Sequence, residues 1–294
     1  GVLAAAGGFE RSQERRTEAG VPGRADWTMA PAGTNDGDLL DAACAAGAAV
    51  DLMSEAWWCP GIAMPDGGAS FTLGFRGGVV VDRTGRRYAN ESLPYDQMGR
   101  AMAADPERRI PSYVVFDSRE GGRLPAIALP GGRPEEHLAA GTWVEAPSLA
   151  ELADLVGVPA RELEDTVARF NAATARGRDD EHGRGSDEYD RHFADPVLVP
   201  VDRPPFRAAR LVLSDLGTKG GLVTDPDARV LRDDGSVLEG LYAVGNTAAS
   251  MTGARYPGPG IPIGTAMVFA ARAVDDVLRQ TRSSSTGSPK ADRP

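Results

Sequence analysis

The chain has 294 residues, 41% hydrophobic and 25% charged, which is the balance of a folded globular protein and excludes wholesale disorder. A net charge of −10 without any basic block argues against a nucleic-acid partner, and no apolar run is long enough to span a membrane. No charged leader followed by an apolar stretch is visible, so a cytoplasmic location is expected.

In chain order, residues 1–6 (GVLAAA) form a short apolar run that predicts a buried strand, closed by the Gly7-Gly8 corner. The chain starts without Met, directly in this run, and reads as if it begins partway through a domain. Residues 33–47 predict a helix capped by Asp36 or Asp38, with Leu39, Leu40, Ala43 and Cys44 on its apolar face. Cys44 then reads as a small core residue. Trp57 and Trp58 follow; paired tryptophans suit packing or the lining of an apolar pocket. Residues 78–87 predict a strand, a Thr84-Gly85 turn and a second strand, and residues 112–116 a further strand.

The Gly/Pro-rich stretch 121–141 reads as loop. Residues 148–156 and 161–173 predict two helices, the second with Leu163, Val167 and Phe170 on one stripe. Residues 175–190 are so charged and Gly-rich that a solvated loop is expected. Residues 220–246 predict a meander ending at Gly245-Asn246. A Gly/Pro loop over 253–264 then feeds a helix over 265–278, and residues 282–294 predict an unstructured tail.

Only two lysines occur, Lys219 and Lys290, so nearly all basic side chains are arginine. Cys44 and Cys59 lack Cys-x-x-Cys spacing, and His137, His182 and His192 are scattered. No metal is therefore expected. Phosphate-loop and nucleophile-elbow motifs are absent as well. The remaining chemistry lies in glycine corners and in RYPGPGIPIG, residues 255–264. Gly and Pro before a helix start let a flat or anionic ligand approach its unpaired N–H groups.

Five segments in order carry a family resemblance: VLAAAGGFE, RRYANESLPY, DLGTKGGLVTD, GLYAVGNTAAS and RYPGPGIPIGTAMVFA. They resemble the C-terminal half of 3-ketosteroid dehydrogenases, the 3-oxosteroid 1-dehydrogenases, within the fumarate reductase/succinate dehydrogenase-like FAD flavoproteins. The resemblance implies an α/β fold, part of a Rossmann-like FAD-binding domain interrupted by an α+β catalytic domain. Residues 1–55 and 215–281 would belong to the FAD domain and residues 56–214 to the catalytic domain.

It also implies roles. Tyr95, closing NESLPY, would remove a proton from steroid C2. Tyr256 and the Gly260 N–H would hydrogen-bond the C3 carbonyl. FAD would take the hydride from C1, bound by Gly7, Gly8, Gly245, Asn246, Gly260, Ile261, Pro262 and Ile263. Trp57, Trp58 and Pro94 would line the pocket for a steroid or similar flat apolar ketone.

The family's dinucleotide fingerprint has no counterpart here. The chain is then expected to be a fragment, or one of two chains that complete the enzyme, with a separate N-terminal half carrying the FAD pyrophosphate site as partner. Two other readings stay open. One is a fumarate-reductase-like enoate reductase, which needs arginines clustered on a carboxylate. The other is a non-catalytic fragment.

Overall fold

The computed structural model describes residues 1–286. The first elements are strand β1 (Val2–Ala4), helices α1 (Gln13–Ala19) and α2 (Asp38–Ala45), and strands β2 (Val50–Asp51), β3 (Ala56–Ile62), β4 (Phe71–Leu73) and β5 (Val79–Val81). Next come α3 (Tyr95–Ala103), α4 (Pro106–Arg109), β6 (Ser112–Phe116), β7 (Ile127–Leu129), α5 (Pro134–Ala140) and β8 (Trp143–Ala146). Helices α6 (Leu149–Val156), α7 (Ala160–Ala175) and α8 (Glu188–Phe193) precede β9 (Phe206–Thr218), β10 (Gly221–Leu222), β11 (Arg229–Leu231), β12 (Val237–Ala243) and α9 (Ile261–Thr286).

Two units result. The first is Gly1–Val21, Ala30–Ala56 and the chain from Gly217; the second is Pro22–Met29 and Trp57–Leu216. Residues 22–29, which the sequence places with the first unit, go with the second. The cause is Asp215: its carbonyl accepts from the Met29 N–H at 2.9 Å and its carboxylate from the Thr28 hydroxyl at 2.6 Å.

In the first unit β1 pairs in parallel with β12, which pairs antiparallel with β11. Helix α9 packs on this sheet through Phe269, Ala273 and Val277 against Tyr242 and Val244. The Tyr242 hydroxyl donates to Asp276 at 2.9 Å. β1 was expected to be buried, but among the described residues it has a neighbour on one side only, and Val2 and Leu3 are exposed. Ile263, Met267, Val274 and Leu278 are also 49–70% exposed. At 100° per residue these four positions share one narrow stripe of α9.

In the second unit β9 is the spine. It is flanked by β6 and β8 over its first half and is followed in the sheet by β3 on one side and by β6 and β5 on the other. Helices α6 and α7 close one face with Leu152, Leu163, Val167 and Phe170 on Val79, Val81 and Val115. Each such fully buried side chain stabilises the fold by about 1.5–3 kcal/mol.

Several sequence expectations are corrected. Cys44 is exposed; α2 begins at Asp38 after Gly37, later than expected, and it is Leu40 and Ala43 that it buries. Among the described residues, Arg86 and Arg87 after the Gly85 turn form no strand. The 121–141 stretch holds β7 and α5, because Pro134 sits in the first turn of α5 and the Glu136 carboxylate accepts from the Arg133 N–H at 3.2 Å. α9 starts at Ile261, putting Gly260 directly before its first turn. It continues through Thr286, into the expected tail; residues 287–294 lie outside the described residues.

Candidate active site

Parallel strands β1 and β12 leave their sheet at the same end. Ala4 is opposite Ala243, and the Val244 N–H donates to the Ala4 carbonyl at 3.0 Å. Each strand exits through a glycine corner, Gly7 with φ +83° and Gly245 with φ +64°. The Thr247 hydroxyl ties the two by donating to the Gly7 carbonyl at 2.8 Å. A side chain at Gly8 is excluded, since its Cβ would lie 2.0 Å from the Thr218 hydroxyl. That hydroxyl accepts from the Phe9 N–H at 3.1 Å and donates to buried Glu10 at 3.1 Å.

The start of α9 reaches the same place, for Ala266 is 3.6 Å from where a Cβ on Gly245 would stand. So the structure brings together Gly7, Gly8, Gly245 and Asn246, with the second turn of α9 beside them. The site offers glycine backbone at the carboxyl ends of parallel strands, with a helix N-terminus beside it. Such a place suits a flat ligand carrying polar edges. Cβ atoms on Gly260 and Gly264 would meet nothing within 4 Å. Both glycines face open space, so a planar group such as a flavin ring could approach their backbone without meeting a side chain. Gly260 and Ile261 also border a cavity of about 560 Å³ walled by Met251, Val268 and Phe269.

Tyr256 is carried by the loop before α9 and is half-buried. The three carbonyls before it, on Gly253, Ala254 and Arg255, all accept from the Lys219 ammonium, at 3.5, 3.0 and 2.8 Å. Lys219 is fully buried.

Tyr95, in the second unit, is the first residue of α3, with Pro94 as the cap. Its ring is 7% exposed and stands edge-on to Phe71, 4.9 Å between centroids. Both Trp57 and Trp58 are buried in β3. Trp58 lies directly beneath α3: a Cβ on Gly99 would come within 2.7 Å of its Cβ. A larger cavity of about 680 Å³, bordered by Ile62, Met64, His137 and Trp143, has none of the expected residues in its lining.

The turn leading to Tyr95 is held by buried charge. Arg87 makes a two-pronged contact with Glu91, at 2.7 and 2.8 Å, and reaches Asp179 at 2.8 Å. Arg184 donates to Glu91 at 3.4 Å and to the Gly78 carbonyl at 2.7 Å. Asn90 donates to Asp190 at 2.9 Å, and the Ser92 hydroxyl to the Phe75 carbonyl at 3.2 Å.

Burial would raise the carboxyl pKa of Glu91, but the hydrogen bonds and charges of Arg87 and Arg184 prevail and hold it below the usual range. Asp179 resists burial in the same way, mainly through Arg87, and falls to about 2. Arg184 is lowered by its burial.

The sequence reading thus missed Arg87, Glu91, Asp179 and Arg184. It also took 175–190 for a solvated loop, whereas Asp179, Arg184 and Asp190 are buried. The four-residue spacing of Arg87 and Glu91 was the one available signal. Among the described residues no group of His, Cys, Asp and Glu could hold a metal ion.

Comparison with known proteins gives a match to the FAD binding domain family over residues 1–263. The chain is 43% identical over 288 residues to the 3-oxosteroid 1-dehydrogenase of Mycobacterium tuberculosis, covering 92% of this chain and 51% of that protein. It is 39% identical over 306 residues to the Mycolicibacterium smegmatis enzyme of the same name, covering 98% and 53%. The crystal structure of 3-ketosteroid Δ1-dehydrogenase from Sterolibacterium denitrificans, in complex with 1,4-androstadiene-3,17-dione, superposes with a TM-score of 0.86 at 34% identity, covering 95% and 53%. The chain spans about half the length of these relatives.

Proposed function

Because the chain belongs to the FAD binding domain family, we propose that it is the part of a 3-ketosteroid Δ1-dehydrogenase that carries the proton acceptor and the ketone-binding donors. The observation that carries this reading is the 43% identity over 92% of the chain to a 3-oxosteroid 1-dehydrogenase. Bound FAD supplies a hydride acceptor for steroid C1.

The chain's own residues do the rest. Tyr256 and the Gly260 N–H donate to the C3 carbonyl oxygen, forming an oxyanion hole that stabilises the enolate as C2 loses its proton. Tyr95 accepts that proton. A free phenol keeps its proton near neutral pH, so Tyr95 can take the C2 proton only as a phenolate, its own hydroxyl proton having passed to a neighbouring group or to water as the C2 proton arrives. Trp57, Trp58 and Pro94 form the apolar wall that a flat hydrocarbon substrate needs. Gly7, Gly8, Gly245, Asn246 and Ile261–Ile263 hold the ring end of the flavin.

The FAD pyrophosphate site belongs in the same reading to a separate N-terminal half, whether that half is part of one longer chain or a partner chain. A cytoplasmic location is part of that reading as well, in keeping with two free thiols.

The test is steroid-dependent flavin reduction followed by stopped flow, with the 294-residue chain supplied with FAD, alone and with the complementary half of a relative. Reduction by 3-ketosteroids is expected with both halves present. Binding of short dicarboxylates in place of steroids would move the assignment to enoate reduction.

A further inference from the structure

Lys219 is the only lysine among the described residues and one of two in the sequence, in a chain that otherwise uses arginine. It is also fully buried. An ammonium differs from a guanidinium in being a compact tripod of donors, able to serve three acceptors that converge on one point. The Gly253, Ala254 and Arg255 carbonyls converge in that way, at 3.5, 3.0 and 2.8 Å from Nζ.

The lysine backbone is itself fixed. Its N–H donates to the Glu55 carbonyl at 2.8 Å and its carbonyl accepts from the Ser250 N–H at 3.0 Å. Gly220 and Gly221 press so closely on neighbouring backbone that a Cβ on either would lie 2.5 Å from Met53 or Thr247. The Arg255 carbonyl has a second donor, the Thr252 hydroxyl at 2.8 Å. The next residue is Tyr256. Without the ammonium, three converging carbonyls would face one another around the space left by a buried side chain, and the loop would have to open to hydrate them.

We propose that Lys219 is a positioning residue: its ammonium gathers the 253–255 carbonyls and so fixes the backbone that presents Tyr256 and, beyond it, Gly260. What Tyr256 does there rests on the function proposed above; the ordering of the loop does not.

The test uses the 294-residue chain. With 15N-lysine only two ammonium signals exist, and the one from Lys219 should exchange its protons with water at least about tenfold more slowly than free lysine. Two fast-exchanging signals would overturn the proposal without any variant being made. In Lys219→Met, tryptic cleavage after Arg255 and amide exchange over 253–260 should rise about tenfold or more, with α7 unchanged. Propylammonium added to Lys219→Ala should reverse the rise. Unaltered cleavage in both variants would overturn the proposal.

If Lys219→Met does not fold, Thr252→Val, which removes the second donor to Arg255, should show a smaller rise at the same bond. In the reconstituted enzyme, Lys219→Arg should lower kcat with little change in KM, and Tyr256→Phe should add little further loss. Losses that multiply would place Lys219 outside the action of Tyr256 and overturn the proposal. If Tyr256→Phe alone costs nothing, the proposed function fails while the loop measurements still decide the role of Lys219.

Discussion

Tyr95 and Tyr256 are held by opposite means. The turn before Tyr95 is fixed by side chains of alternating charge, Arg87, Glu91, Arg184 and Asp179, all but closed to solvent. The loop before Tyr256 is fixed by one cation on neutral backbone carbonyls. A carboxylate lattice depends on every member staying charged. A carbonyl cap depends on one cation and on no carboxylate. The first arrangement should therefore fail in acid and fail collectively; the second should be indifferent to acid and fail locally.

The largest effect should come from Glu91→Gln. It leaves Arg87 with Asp179 and a longer contact to the part-exposed Glu181, takes from Arg184 the carboxylate that it pairs with, and breaking a buried pair in this way costs about 3–5 kcal/mol. Denaturant unfolding followed by tryptophan fluorescence should show this loss. Stability within about 1 kcal/mol of the parent would mean that the lattice is solvated.

Next come the tyrosines in the reconstituted enzyme. Tyr95→Phe should slow flavin reduction by about 10²–10⁴, the usual worth of general-base catalysis, with steroid affinity retained. Tyr256→Phe should cost about 10²–10³, as for one of two oxyanion donors. Near-normal reduction in Tyr95→Phe would show that another group takes the proton.

Acid separates the two regions. Asp179 and Glu91 have folded pKa values below their unfolded ones, Asp179 at about 2 against an ordinary 3.8. Their stabilising contribution is present in full above the unfolded values and is lost as pH falls from about 4 toward 2. The second unit should loosen in that window. The Lys219 cap should not, and cleavage after Arg255 by an acid-tolerant protease would report it.

The smallest effect sharpens the same contrast by labelling. Exposed Cys44 should react with a thiol reagent in the native protein. Cys59 is buried in β3, with its thiol pKa raised chiefly by that burial, and should react only when the second unit opens. Faster labelling of Cys59 alone in Glu91→Gln would assign the lattice to that unit.

Much of this was legible where backbone geometry writes itself into residue type. The Gly7, Gly245 and Gly260 corners stand out because only glycine accepts those φ values readily. The stripe on α7 shows because helix period and burial coincide. The lattice was hidden because charge normally signals water. Asp179, Arg184 and Asp190 lie in a run of charges and glycines, and only the partners from residues 87–91 make it an interior. Helix α5 was hidden by the prolines and glycines around it, although Pro134 is itself a helix-starting residue. Cys44 was misplaced because periodicity fixes a face and not which side of that face is covered.

The exposed edge of β1 and the apolar stripe of α9 have a consequence for the protein as a colloid. Unpaired strand edges and contiguous apolar surface favour self-association. The net charge of −10 opposes it by keeping copies apart. That repulsion reaches about 10 Å at 0.1 M salt and about 3 Å at 1 M, whereas apolar contact is not screened. The isolated chain should thus stay dispersed at low ionic strength and associate as salt is added, the reverse of an assembly held by ion pairs. Met267→Glu, set in the middle of the stripe, should move that threshold to higher salt.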